Sequence, residues 1–315
     1  MIEVALMIEG QNGLNWERWQ RVAQAAEDLG FVGLFRSDHY TNANPPDKDS
    51  LELWTSLTWL ADNSERLEFG PLVSPVSFRE PTMTARMAAA VDDLSNGRLI
   101  LGLGAGWQER EHHNFGHDLL AIPERFDRFE EGLEVITGLL ESDEPVSFEG
   151  DYYELHDAIL LPRPDRIGGP PILIGGNGPK RTLPLTARYA DEWNGVFITA
   201  TDYADRNSRL DELLVREGRQ PEDVRRSLMT GTIFGRTDNV VRQKLEKRGR
   251  SAEEMRQAGL IVGTADDFVE QIERYAEAGA YRVMLQWLDL DDMDGLEAMA
   301  SRVIPQLHGP AGGFG

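Results

Sequence analysis

Short apolar runs alternate with longer stretches in which apolar residues return every three or four positions, and the alternation persists along the chain. The first run, Ile2 to Ile8, reads as a strand, after which Trp16, Trp19, Val22, Ala23, Ala26 and Leu29 recur at helical spacing until Gly30 ends the helix. Phe31 to Phe35 gives a second strand that runs into Arg36-Ser37-Asp38-His39-Tyr40, with Asn44-Pro45-Pro46-Asp47 as loop. A capped helix from about Ser50 sets Leu53, Trp54, Leu57 and Leu60 on one face. Leu67 to Val73 is a third strand, and Pro81 suits the first turn of a helix that ends near Leu94. Leu99 to Leu103 forms a fourth strand, apolar on both faces as in parallel sheets; Gln108 to Pro123 is an excursion, and Glu124 to Leu140 a helix.

The same rhythm fills the second half. Ser142 to Gly169 is a longer excursion containing a hairpin, Val146-Ser147-Phe148 against Tyr152-Tyr153-Glu154-Leu155 around Glu149-Gly150-Asp151, and an insertion of this kind is expected to cover a site. Strands at Pro171 to Ile174, Trp193 to Ile198, Leu228 to Phe234 and Tyr281 to Leu288 each lead toward a helix. Gly235 to Gly259 reads as a charged, mobile insertion, and Thr264-Ala265-Asp266-Asp267 as a near capping box with Asp in place of Glu. Eight strands alternating with helices is the count that closes a parallel TIM (β/α)8 barrel, here with insertions after strands four and seven and the long excursion at 142–169. The alternative, an open doubly wound sheet, more often stops at about six or seven strands. No Pro/Ser/Gly-rich linker divides the chain, so one domain over 1–308 is expected, followed by a flexible C-terminal tail at 309–315.

Charge narrows the function classes. Lys and Arg number 32 against 54 Asp and Glu, a formal net charge of -22, which repels phosphate backbones and argues against nucleic acid or an anionic membrane as partner. Cysteine is absent, which removes disulfides, thiolate catalysis and cysteine metal sites. The N-terminus enters a strand without a basic region and no apolar run nears the ~20 residues of a membrane span, so a cytoplasmic protein is the expectation.

In a barrel of this kind the chemistry gathers at the C-terminal strand ends. There stand Asp38 and His39, then Val73 and Ser74, then Gly104 to Trp107, then Gly175 to Gly178, and finally Gln286 and Trp287. Glycines at 102, 104 and 106 remove Cβ atoms that would hold a flat ring or an anion away from the backbone, or else they let the strand end pack tightly. Gly175-Gly176-Asn177-Gly178-Pro179-Lys180-Arg181-Thr182 joins a strand to a helix start, where free N–H groups favour a phosphate and Lys180, Arg181 and Thr182 add charge or a hydroxyl, or else it is a plain tight turn with an ordinary basic first helical turn. Imidazole, with an intrinsic pKa near ~6.5, makes His39 the candidate for proton transfer, with Asp38 turned to the opposite side of the strand. His112, His113 and His117, with Glu109 as the only further ligand in reach, read as a solvated helix face rather than a metal site. There is no G-x-S-x-G, P-loop or H-E-x-x-H, which leaves hydrolase and nucleotide-binding readings without support.

Ser37-Asp38-His39-Tyr40, Gly70-Pro71-Leu72-Val73-Ser74-Pro75 with Arg79-Glu80-Pro81, Gly97-Arg98 through Gly106-Trp107, Glu124-Arg125-Phe126-Asp127-Arg128, Ile174-Gly175-Gly176-Asn177-Gly178 and Ala190-Asp191-Glu192-Trp193-Asn194 together resemble the luciferase-like flavin and deazaflavin oxidoreductases. The resemblance runs from strand one to strand eight and is closest to the F420-dependent members. It implies a TIM barrel with coenzyme F420, or alternatively FMN, at its mouth, the phosphate held by Gly175, Gly176, Asn177 and Gly178. It further implies a non-proline cis bond at Leu72-Val73 or Val73-Ser74 behind the ring. The implied activity is hydride transfer to or from a small organic substrate, with His39 moving the proton, Asp38 orienting it or the coenzyme, and Trp107 and Trp287 bounding an apolar pocket. The alternatives are an FMN-dependent monooxygenase fed by a separate reductase and a non-catalytic flavin-binding barrel. A homodimer is expected through the resemblance alone. In the F420-dependent sugar-phosphate dehydrogenases that this sequence resembles, a glutamate proton donor follows the strand-four glycines; here Trp107 stands there, so neither their substrate nor that acid is expected.

Overall fold

The computed structural model describes residues 2–307, so the tail expected at 309–315 lies outside the described residues. β1 (Glu3–Ile8) leads to α1 (Trp16–Asp28), whose start is capped by the Asn15 side chain accepting from the Arg18 N–H at 3.1 Å and whose apolar face buries Trp19, Val22, Ala23 and Ala26. After β2 (Gly33–Arg36) comes α2 (Leu53–Asn63), capped by Glu52 close to the expected start; the Ser50 hydroxyl donates to the His39 carbonyl. The single strand expected over Leu67 to Val73 is divided. β3 (Glu68–Pro71) and β4 (Ser74–Pro75) flank a cis peptide bond between Leu72 and Val73. α3 (Pro81–Leu94) and β5 (Leu101–Gly104) follow, and then α4 (Glu109–Phe115), a short helix inside the stretch read from sequence as an excursion, and α5 (Ile122–Glu141).

β6 (Val146–Glu149) and β7 (Glu154–Ala158) form the expected antiparallel hairpin. β8 (Ile172–Gly175), α6 (Thr182–Tyr189), β9 (Glu192–Val196), α7 (Ala200–Arg216) and β10 (Arg225–Phe234) continue the alternation. α8 (Asp238–Arg248), α9 (Ala252–Gln257) and β11 (Ile261–Gly263) occupy the insertion after strand seven, and α10 (Ala265–Glu277), β12 (Arg282–Gln286) and α11 (Met293–Leu307) complete the fold. Thr264 and Asp267 do form a reciprocal capping box, the shorter acid reaching the Thr264 N–H at 2.8 Å.

The strands pair in parallel in the order β3-β2-β1-β12-β10-β9-β8-β5-β4. The ring is closed where Phe69 bridges Leu99: the Phe69 N–H donates to the Arg98 carbonyl at 3.1 Å and the Ile100 N–H to the Phe69 carbonyl at 2.8 Å. Two glycines permit that closure. A Cβ on Gly70 would overlap the Ile100 carbonyl, and one on Gly102 the Pro71 carbonyl. Ala5, Met7, Phe35, Leu72, Ile100, Leu173, Met229 and Met284 fill the barrel interior, while a larger apolar layer lies between strands and helices. At the N-terminal end the buried Arg282 donates to Glu3 and Glu68 and faces Glu192 at 3.8 Å.

Two sequence expectations are corrected here. Gly235 to Gly259 is not a mobile segment: Val241 of α8 and Met255 of α9 pack with Ile233 and Val262 in a small core of their own. The 142–169 excursion is no cover for the strands' C-terminal ends, because it leaves the end of α5 and returns to the start of β8, both at the opposite end of the barrel. Its return is pinned there by Arg163 donating to the Leu139 and Leu140 carbonyls, while the hairpin turn lies along α5, Glu131 accepting from the N–H groups of Asp151, Tyr152 and Tyr153.

The closure makes Gly102→Ala costly, with an expected loss of about 3 kcal/mol from overpacking against backbone that cannot swing away. Gly138→Ala on α5, where a Cβ meets only Val146 Cγ1 at 3.5 Å, is expected to leave stability unchanged or raise it by up to ~1 kcal/mol. Urea unfolding of both variants beside the parent checks the contrast; equal midpoints would remove the close approach as a constraint.

Candidate active site

The end of β2 is clamped on both sides. Arg36 turns outward and is buried, its guanidinium donating to the Leu51 carbonyl at 2.6 Å and the Ser56 hydroxyl at 2.6 Å. Ser37 turns inward, accepting from the Gly10 N–H and donating to Gln11. Asp38, buried, accepts from the Ser74 hydroxyl at 2.8 Å and from both terminal nitrogens of Arg79, which also donates to Glu52 at 3.0 Å. His39 faces the mouth. Its Nδ1 lies 2.7 Å from Glu111 Oε1, the Tyr40 N–H donates to Glu111 Oε2 at 2.9 Å, and no protein group among the described residues bonds Nε2. Burial alone would lower the His39 pKa; the bond to Glu111 and the charges of Glu111, Glu9 and Asp38 outweigh it, so the imidazolium is held above the ordinary histidine range.

Glu111 reaches this position on α4, and α4 is fastened to the loop after β2 along its length. Arg110 meets both oxygens of Asp47 and donates to the Asn42 carbonyl at 2.8 Å; Gln108 donates to the Thr41 carbonyl at 3.0 Å. Phe115 stacks on Tyr40 with ring centroids 4.5 Å apart. His112 is buried, one ring nitrogen against Ser77 Oγ and the other against the Gln108 carbonyl, and His117 packs on Tyr40 and Phe78. Among the described residues no three His, Cys, Asp or Glu side chains are placed to share a metal ion.

The cis bond falls at Leu72–Val73, the first of the two positions the resemblance implied. The Val73 side chain lies against β5 and β8, where Cβ atoms on Gly104 and Gly175 would come within 2.6 and 3.1 Å of it. The space left by Gly102 and Gly104 is therefore filled by Pro71 and Val73, so the tight-packing reading of these two glycines holds in the protein itself. Beyond them Ala105 is buried, Gly106 adopts φ +86°, and Trp107 stands 62% exposed with its ring edge-on to His39 at 5.6 Å. Ser74 joins this shelf to Asp38.

The turn from β8 to α6 is shaped by Gly176, at φ +124°. The Asn177 side chain both donates to the Val196 carbonyl and accepts from the Val196 N–H, and Arg206 donates to the Asn177 carbonyl at 3.1 Å. Gly178 lies close over the buried Thr182. No side chain caps α6, but its first turn offers an anion only the Thr182 N–H, because Leu183 donates to the Gly178 carbonyl at 3.0 Å, Pro184 has no N–H and Leu185 donates to the Arg181 carbonyl at 3.3 Å. Arg181 is only half available for the same task, since it pairs with Asp127 of α5 at 2.9 Å.

Gln286 and Trp287 part company by strand alternation. Gln286 points inward and donates to Glu9 at 2.6 Å; Trp287 points outward, 4% exposed, under Lys244, which corrects the expectation that it bounds the pocket. Glu111, Glu9, Arg79 and Arg206 went unassigned in sequence. For Glu111 no spacing gave a signal, since Trp107 and Gln108 lie outside α4 and its partner His39 is 72 residues away.

The family profile described as luciferase-like monooxygenase matches residues 3–251. An F420-dependent glucose-6-phosphate dehydrogenase from Amycolatopsis mediterranei is 28% identical, covering 91% of this chain and 93% of its own. A 4-hydroxyprotoasukamycin monooxygenase from Streptomyces nodosus subsp. asukaensis is 26% identical, covering 96% of this chain and 89% of its own. An F420-dependent secondary alcohol dehydrogenase solved with an F420-acetone adduct superposes with a TM-score of 0.85 at 20% identity, over 96% of this chain and 98% of that one, and shares the barrel fold. With that profile spanning most of the chain, from β1 to the start of α9, the protein belongs to the luciferase-like monooxygenase family.

Proposed function

We propose that this chain transfers a hydride between coenzyme F420 and a small organic substrate at the barrel mouth. The observation that carries the reading is His39, whose Nδ1 is held by a buried carboxylate while Nε2 is left to the mouth beside an exposed indole. The F420-dependent relative that spans nearly the whole chain supports the choice of coenzyme.

The residues present fit such a group. The turn formed by Gly175, Gly176, Asn177 and Gly178, with the Thr182 N–H at the start of α6, would hold its phosphate, Arg181 standing at the edge. Leu72, Val73 and Ser74 would back the ring, and Gly104, Ala105, Gly106 and Trp107 would flank it. When bound, F420 supplies or accepts the hydride. His39 Nε2 moves the accompanying proton to or from the substrate's reacting atom, and Asp38, through Ser74 and Arg79, keeps the shelf and the histidine in fixed relation.

The second reading is an FMN-dependent monooxygenase. The monooxygenase relative supports it, and the same α6 turn suits the FMN phosphate. The two differ beyond that phosphate, where F420 continues as an acidic tail. Lys180, exposed at the start of α6, favours the tailed coenzyme. With this reading go a single domain over 1–308, a homodimer, a reductase that renews the reduced coenzyme, and a cytoplasmic setting. No helix among the described residues is long and apolar enough to cross a membrane.

Titration of the protein with F420 and with FMN, followed by quenching of its seven tryptophans, is expected to saturate tightly with F420 and weakly with FMN. The reverse preference would move the function to the monooxygenase reading. His39→Ala is expected to keep F420 affinity while lowering turnover ~10²-fold or more, and undiminished turnover would take His39 out of the mechanism.

A further inference from the structure

We infer that Glu111, a residue that touches neither substrate nor coenzyme, is the positioning residue that fixes the His39 proton on Nδ1 and keeps the ring charged for delivery of its other proton from Nε2. The catalytic part of this inference rests on the hydride-transfer reading; the proton assignment does not.

The assignment follows from donor and acceptor counting. An ionised carboxylate only accepts. One Glu111 oxygen takes the Tyr40 N–H, and the other faces His39 Nδ1 at 2.7 Å, so Nδ1 must carry hydrogen in every protonation state of the ring that keeps this contact. The variable proton is then confined to Nε2, which faces the mouth. Glu111 is 1% exposed and His39 16%, so this pair is shielded from the screening that weakens surface pairs.

Chance does not account for the pairing. Seventy-two residues separate the partners, and α4, which carries Glu111, makes further contacts on the same loop, Arg110 on Asp47, Gln108 on Thr41 and Phe115 on Tyr40, while His112 fastens it to Ser77. Two successive groups of that loop, the His39 ring and the Tyr40 N–H, meet the two oxygens of one side chain. The groups facing His39 from the surrounding elements are Glu9 after β1, Asp38 beside it and Glu111 on α4; Arg79, the nearest cation by way of Asp38, is engaged by Asp38 and Glu52. All three direct neighbours are carboxylates, and each favours the imidazolium. Only Glu111 is in hydrogen-bond contact with the ring, and so only Glu111 also decides which nitrogen holds the fixed proton.

With a carbonyl substrate in the reductive direction, hydride would add to the carbonyl carbon, the C=O π pair would move to oxygen, and the Nε2 proton of imidazolium would neutralise it, leaving neutral His39 with hydrogen on Nδ1; reduced F420 would be the hydride donor and be oxidised. Solvent then restores the Nε2 proton. The reaction needs His39 charged beforehand, so its rate falls as pH rises through the His39 pKa. Removing the Glu111 charge lowers that pKa and moves the falling limb to lower pH.

The test is a nitrogen-detected NMR titration of the ring in coenzyme-free protein, with His39→Ala identifying the signal, on the parent, Glu111→Gln and Glu111→Asp. The parent is expected to show the Nδ1–H form when neutral. Glu111→Gln, which keeps the volume and loses the charge, is expected to lower the titration midpoint by about 1 unit or more, while Glu111→Asp keeps the charge and most of the elevation. The limb of F420-dependent reduction is expected to shift by the same amount in Glu111→Gln, with F420 affinity unchanged. A neutral form protonated on Nε2, or midpoints that coincide in parent and Glu111→Gln, would overturn the proton assignment. A shifted midpoint with an unshifted limb would overturn the catalytic role alone.

Discussion

The barrel depends on one close approach, that of β3 to β5. Eight staves make a closed ring only if the last gap is bridged, and here it is bridged where Gly70 and Gly102 let two backbones come nearer than any side chain would allow. The constraint propagates upward. With β3 held against β5, the chain turns through Leu72–Val73 and leaves Val73 over Gly104 and Gly175, and Ser74 then falls beside Asp38. The shelf of the mouth is thus an extension of the seam that closes the ring, and its position is set by backbone rather than by mobile side chains.

Electrostatics adds a second organising element in a chain with a net charge of -22. Adjacent residues at the end of β2 receive opposite partners: Asp38 the guanidinium of Arg79 from the start of the third helix, His39 the carboxylate of Glu111 from the fourth. Each partner is supplied by a different loop downstream. The strand end is held between two segments that also meet each other where His112 reaches Ser77, and the mouth acquires a fixed geometry before any ligand enters.

The order of elements was legible because periods of two and of three to four residues are read directly off apolar positions, and Pro81, Gly30 and Thr264 punctuate them as their chemistry demands. Less of strand three was legible. A continuous apolar run looks the same whether or not it is broken, and no spacing marks Leu72–Val73. α4 was hidden for the opposite reason: its buried face is made of Glu111 and His112, polar residues that hydropathy assigns to solvent. α8 and α9 bury one residue each in a sequence dense in charge, so their helical signal is weak. Most of the candidate site residues lie at the mouth because strand ends predict position well; their partners escaped because Glu111 and Arg79 meet β2 across tens of residues, and a single sequence carries no record of such contacts.

The fastening of α4 to the loop after β2 has a reciprocal side. The free energy by which a docked α4 raises the proton affinity of His39 equals that by which a protonated His39 tightens the docking of α4. Proton loss at His39 and the looseness of the segment that walls one side of the mouth are therefore two readings of a single equilibrium, and under the proposed role of His39 each passage of its proton through Nε2 would alter the grip of the protein on its own rim.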